Sequence, residues 1–221
     1  MKKKLIFIIY GCADKDNLNP NAACINILSE YLQNYFYIDI ITNNDKNREI
    51  LCIKKENLCI HAFPVKSYHS RSVIDIESDD AKKYLIENVR INDADLCIAV
   101  SYPFMPAIYV MNKLYKLNPR LKKIIYEFDP LAYNGASNFR LLSFIIRFIY
   151  EFFEFFKADQ IWLTRELFNQ YNKNLYKLLK RKFFNVGIPL LDLNEKDNNR
   201  YTNKEGTNRI SFVYSGTFYD K

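Results

Sequence analysis

Short hydrophobic runs alternate along this chain with longer segments of helical period, and the alternation predicts most of its elements. Leu5 to Tyr10 is a continuous apolar stretch rich in Ile, the pattern of a strand buried on both faces of a parallel sheet, and Gly11 ends it. The loop CADKDNLNP leads to Asn19-Pro20, a cap and first-turn pair that predicts a helix over about 20–34, with Ala23, Ile27, Leu28, Tyr31 and Leu32 facing inward. YIDIIT reads as a second strand with polar NNDKNRE behind it, and LCIHAFPV (58–65) as a third. A helix near 77–91, the strand DADLCIAVS (93–101) and a helix over 104–117 stopped by Asn118-Pro119 follow. LKKIIYEFDP (121–130) is a further strand; then come a long helix over 139–157, a strand DQIWLT (159–164), a helix over 165–180 and a strand KFFNVGIP (182–189).

Strands alternating with helices imply right-handed βαβ units, so the expected fold is α/β: a Rossmann-like parallel sheet with helices on both faces. This domain spans 1–189, a polar, Asn-rich linker spans 190–208, and RISFVYSGTFYDK (209–221) reads as the first strand and glycine turn of a truncated second domain.

Composition changes this picture in few places. The chain of 221 residues is 49% hydrophobic and 26% charged, an ordinary globular balance, although Tyr and Phe number 17 each. A net charge of +7 favours anionic partners such as nucleotides, nucleic acid or acidic lipid without choosing among them. Basic residues scatter over helix surfaces without aromatic interleaving, which argues against nucleic acid. The start, MKKKLIFIIYGC, has the flavour of a lipoprotein signal, but its apolar core is short and ends in bulky Tyr10, so a cytoplasmic strand is the better reading. Five cysteines, at 12, 24, 52, 59 and 97, have no C-x-x-C spacing and read as reduced thiols. A metal site from Cys52, Cys59 and His61 is conceivable, but the strand-like alternation around Cys59 and His61 weighs against it, and no metal is expected.

Candidate chemistry lies beyond the carboxyl ends of the strands. Gly11 lets the chain turn beside a helix start, yet neither G-x-G-x-x-G nor a P-loop follows, so Gly11 reads equally as a plain turn or a ligand contact. Asp129, held before Pro130, could accept sugar hydroxyls or act as a base, or serve only as a turn carboxylate; Glu127 is the weaker candidate. Ser101 and Tyr102 close one strand and Thr164 and Arg165 another; Ser101 has no recognisable His partner, which disfavours nucleophilic catalysis, and His69 reads as a surface histidine. In FRLLSFIIRFIYEFFEFFKAD, Arg140, Arg147, Glu151 and Glu154 form one narrow helical stripe, with Arg147 and Glu151 spaced for a pair, and the rest is apolar or aromatic. That helix is either buried or lies on a membrane surface with basic residues meeting acidic headgroups; its charges exclude a span.

In order, KKLIFIIYG, ADLCIAVSYPFMPAIYV, LKKIIYEFDPLAYN, EFFKADQIWLTRELFNQY, KFFNVGIPLL and RISFVYSGTFYDK resemble the N-terminal, acceptor-side domain of a GT-B glycosyltransferase of the family 4 type. The most specific piece is a helix followed by ADQIWLT (158–164), a further helix and the strand end NVGIP (185–189). The resemblance implies transfer of a sugar from a nucleotide-diphosphate sugar, with no other cofactor, to a saccharide or lipid-linked acceptor of the cell envelope or of polysaccharide synthesis. It implies a cytoplasmic protein, at the inner face of the membrane if 139–157 makes peripheral contact. Gly11 with its loop, Ser101, Tyr102, Thr164 and Arg165 would edge the acceptor cleft, Asp129 would stand beside the reacting sugar, and Ser215 and Gly216 would form the first donor-side loop. Since the donor-site Glu pair of such enzymes has no counterpart here, the chain alone is expected to be inactive, its C-terminal domain supplied in cis or in trans. A noncatalytic acceptor- or membrane-binding scaffold and a generic Rossmann-like nucleotide binder are the alternatives.

Overall fold

The computed structural model describes residues 2–11, 20–44, 49–66, 74–101, 104–128, 141–171 and 175–186, all within one compact unit, Met1–Leu190. The strands are β1 (Lys3–Ile8), β2 (Phe36–Asn44), β3 (Leu51–Lys55), β4 (Leu58–Pro64), β5 (Leu96–Val100), β6 (Lys122–Glu127), β7 (Gln160–Leu163) and β8 (Phe183–Asn185). The helices are α1 (Pro20–Leu32), α2 (Asp79–Glu87), α3 (Phe104–Leu117), α4 (Leu141–Lys157) and α5 (Arg165–Tyr171), with 3₁₀ turns at Ile91–Asp93 and Leu175–Lys182. One sheet joins the strands in the order β3-β4-β2-β1-β5-β6-β7-β8, every pair parallel except β3 with β4.

Strand alternation sends side chains to two cores. Leu5 and Phe7 of β1, with Ile9 just after it, join Ile38, Ile40, Ile98, Val100 and Tyr126 beneath Ala22 and Ile25 of α1. Ile6, Ile8 and Tyr10 join Ala99, Ile125 and Ile161 on the opposite face, packed with Leu85, Met111, Phe155 and Tyr171 from α2, α3, α4 and α5. A strand covered on both sides has no polar face to show, which is why Leu5 to Tyr10 is apolar throughout.

The Ala-Asp pairs that precede β5 and β7 have one shared role. Asp95 accepts the Lys4 amide at 2.9 Å and Asp159 accepts the Lys123 amide at 2.7 Å, while Ala94 and Ala158 are buried behind them. Each carboxylate satisfies the amide of a neighbouring strand as it enters the sheet, and the flanking alanine leaves room for the close approach. Asn118 stops α3 as expected: its side-chain amide donates to the carbonyls of Ile91 and Ala94, at 2.9 and 3.0 Å.

Two expectations need correction, and one segment gains an element. Leu51–Lys55, to which the sequence pattern assigns nothing, forms an antiparallel edge strand; its exposed Lys54 and Lys55 give it the charged character of a guarded sheet edge. The inner face of α1 is Ala22, Ile25 and Ser29, with Leu28 and Leu32 partly covered, whereas Tyr31 is 63% exposed. The helix expected over 165–180 is instead α5 and a separate 3₁₀ turn.

Candidate functional site

Strand order reverses between β1 and β5: from β1 the chain builds outward through β2 to β4, then returns beside β1 and builds the other way through β6, β7 and β8. In an open parallel sheet the crevice beyond the carboxyl ends of two such strands is the ligand position, because the connecting loops diverge there and leave it uncovered. Gly11 and Ser101 are the residues that follow these two strands.

Gly11 has φ 77°, a left-handed conformation in which a β-carbon would clash. Its amide donates to Asn43 Oδ1 at 2.6 Å, tying the end of β1 to the end of β2. Asn43 had no sequence signal beyond a polar strand end, and only the parallel register aligns it with Gly11. Ser101 is fully buried. Its amide donates to the Tyr126 carbonyl at 3.0 Å, and its hydroxyl accepts the Phe128 amide at 2.9 Å. It therefore fixes the path of β6 immediately before Asp129 and presents no surface to solvent.

Glu127 is completely buried at the end of β6 and adds to the field that, after desolvation by burial, holds the Tyr171 hydroxyl far above its ordinary pKa. Thr164 is nearly buried and its carbonyl accepts the Phe168 amide at 2.8 Å, starting α5, while Arg165 is exposed beside it. They lie two strands beyond β5, about 10 Å along the sheet at ordinary strand spacing. Tyr102, Asp129, Ser215 and Gly216 lie outside the described residues, as do Arg140, His69, the linker 190–208 and the terminal stretch 209–221.

The long helix α4 turns its carboxylates inward and part of its apolar surface outward. Glu151 is fully buried and Glu154 nearly so. The Glu151 carboxylate accepts the hydroxyls of Tyr171, at 3.0 Å, and Tyr176, while Glu154 accepts from Asn112 and Lys157, both at 2.9 Å. Ile145, Ile146, Ile149, Phe153 and Phe156 are exposed instead, and recur at the helical period along one face. Neighbouring Leu175–Lys182 adds exposed Leu175 and Leu178 with exposed Lys177, Lys180 and Arg181, and Lys182 lies over the Phe156 ring at 5.4 Å. Among the described residues no helix is long and apolar enough to cross a membrane.

A second polar cluster sits on the β3–β4 edge. Cys52 Sγ and Cys59 Sγ are 3.0 Å apart, and both lie within 4.8 Å of a His61 ring nitrogen. The alternation that weighed against a site here is what brings Cys59 and His61 to one side, since residues two apart on a strand point to the same side.

No protein-family model matches the chain, and no curated protein matches it in sequence. Among solved structures it is similar to the catalytic domain of starch synthase IV from Arabidopsis thaliana, bound to ADP and acarbose, with TM-score 0.53 and 9% identity over 85% of this chain and 52% of that one. A sucrose-phosphate synthase structure from Thermosynechococcus elongatus aligns with TM-score 0.49 and 9% identity over 85% of this chain and 89% of that chain. The chain thus spans about half the length of the starch synthase catalytic domain it superposes on. At such identity the likeness concerns the backbone alone: this chain has the α/β, Rossmann-like fold found in GT-B glycosyltransferases.

Proposed function

We propose that the chain is the acceptor-side part of a glycosyltransferase of the family 4 type that moves a sugar from a nucleotide-diphosphate donor to a cell-envelope or polysaccharide acceptor. The observation that carries this reading is the glycine turn at φ 77° beside the β1–β5 reversal, in a sheet of the GT-B type. A turn without a β-carbon lets backbone amides approach a ligand closely, and amides in a partly dry crevice stabilise negative charge on a departing diphosphate.

Asp129 is the residue proposed to act on substrate. Its carboxylate accepts the proton of the attacking acceptor hydroxyl, or holds a sugar hydroxyl, while the bond from the anomeric carbon to the diphosphate breaks. Support comes from Ser101, whose buried hydroxyl fixes the backbone one residue before Asp129. Tyr102, Thr164 and Arg165 are proposed to border the acceptor, and Ser215 with Gly216 to open the donor side, the rest of which comes from a further domain in cis or in trans.

The exposed face of α4 is proposed to rest on the cytoplasmic surface of a membrane, apolar side chains entering the headgroup boundary while Lys177, Lys180 and Arg181 meet anionic lipid. The same face supports the second reading, a noncatalytic scaffold that holds a lipid-linked saccharide.

Both readings are tested with the full-length gene product that contains this chain, assayed against UDP-, ADP-, GDP- and dTDP-sugars with lipid and oligosaccharide acceptors. Acceptor-dependent release of nucleoside diphosphate supports the transferase. Binding to anionic vesicles without consumption of any donor favours the scaffold.

A further inference from the structure

We propose that Cys52, Cys59 and His61 form a site for a thiophilic divalent cation of the zinc type, with Asp39 as the carboxylate that orients its histidine. The site is built by register. Cys52 lies directly opposite His61 across the antiparallel β3–β4 pair, and Cys59 precedes His61 by two residues on the same face of β4. Asp39 stands beside Cys59 on β2.

The chemistry of each position suits a soft or borderline cation. Two thiolates and an imidazole are a set that zinc accepts, and ligands at about 2.0–2.3 Å around one tetrahedral ion stand about 3.5 Å from one another. The observed separations, 3.0 Å between the sulfurs and at most 4.8 Å across the group, bracket that value within the reach of side-chain rotation.

His61 is already held as a ligand histidine is held. Its Nε2 meets Asp39 Oδ1 at 2.8 Å, and its Nδ1 meets the Tyr84 hydroxyl of α2 at 3.0 Å, a hydrogen bond that the metal would replace. The carboxylate accepting the far N–H fixes the tautomer and the ring plane and raises the basicity of the ligating nitrogen. Lys4 neutralises the other oxygen of that carboxylate at 2.7 Å, so two thiolates and a divalent ion would complete a site of no net charge.

A disulfide fits less well. Cys52 and Cys59 are diagonal neighbours, whose α-carbons stand about 7–8 Å apart in an antiparallel pair, whereas a disulfide needs them within about 6.8 Å. The ligands lie on the far side of β2 from the β1–β5 crevice, so the ion would clamp the edge strand to β4 and take no part in sugar transfer; the inference stands apart from that reading.

The test is titration of the reduced protein with Co2+ and then Zn2+. One equivalent of Co2+ should bind and give thiolate-to-metal charge-transfer absorption in the near ultraviolet, which Zn2+ abolishes by displacement. Cys52→Ser at the exposed edge should lose that absorption with an unchanged far-ultraviolet circular dichroism spectrum, and Cys24→Ser, on α1, should keep it. Asp39→Asn should retain the band and weaken Zn2+ binding about 10–100-fold. The proposal is overturned if reduced protein shows no charge-transfer band, if Cys52→Ser and Cys59→Ser both bind as the parent does, or if the protein isolated without reductant carries a Cys52–Cys59 disulfide.

Discussion

Two residues at the crevice separate a role in geometry from a role in chemistry. Gly11 occupies a left-handed conformation, so any replacement carries a backbone cost of about 1–2 kcal/mol before any ligand is considered. Gly11→Ala should therefore lower the unfolding free energy by about that amount, read by denaturant titration, and Gly11→Val by more because its β-branch crowds the turn. Ser101→Ala leaves the amide of Phe128 without its acceptor in a buried place, which should cost about 1–3 kcal/mol. Asp129→Asn should leave stability unchanged within about 0.5 kcal/mol and remove sugar transfer; transfer at the parent rate by that variant would strip the residue of its proposed role. Gly11 was legible because glycine after an apolar run has few other uses. The inward use of the Ser101 hydroxyl was not, because a serine at a strand end looks the same whether it faces ligand or backbone.

Among the elements, the central strands were the most legible and the edges the least. Continuous apolar runs such as LIFIIY and IIY can only be satisfied by cover on both faces, so they specify a buried parallel strand. The edge strand LCIKK carries the lysines of a solvated segment, and what makes it a strand is its pairing with β4, a tertiary event. The Ala-Asp pairs show a motif whose meaning the structure changes: Asp95 and Asp159 sit where β5 and β7 begin and hold the amides of adjacent strands, so they serve the sheet. Asp159→Ala should destabilise the fold by about 1–3 kcal/mol through the orphaned Lys123 amide, without altering any binding constant at the crevice. In α4 the charged stripe was legible and the side it faces was not. Carboxylates ordinarily face water, yet Glu151 turns inward to two tyrosine hydroxyls while Ile146 and Phe153 are 59% and 56% exposed. If that face meets lipid, Ile146→Asp with Phe153→Asp should abolish sedimentation with anionic vesicles while leaving thermal stability near the parent value. Unchanged sedimentation would leave the exposed stripe without its proposed partner.

At the scale of the molecule, the alternation of strands and helices was enough for the fold class, and the backbone similarity to a starch synthase catalytic domain agrees with it. Substrate and acceptor are another matter: they depend on a few loop side chains, and hydrophobic period carries no information about those. Sugar transfer across the β1–β5 crevice is the activity proposed for the protein. Its most direct measurement follows labelled sugar from a nucleotide-diphosphate donor into an acceptor with the full-length gene product, parent beside Asp129→Asn. Label should appear in the acceptor fraction for the parent, with equimolar nucleoside diphosphate released, and fall by at least about a hundredfold in the folded variant, as expected for removal of a general base. Label that stays in the donor for both proteins, across every donor and acceptor supplied, would contradict the proposed transfer.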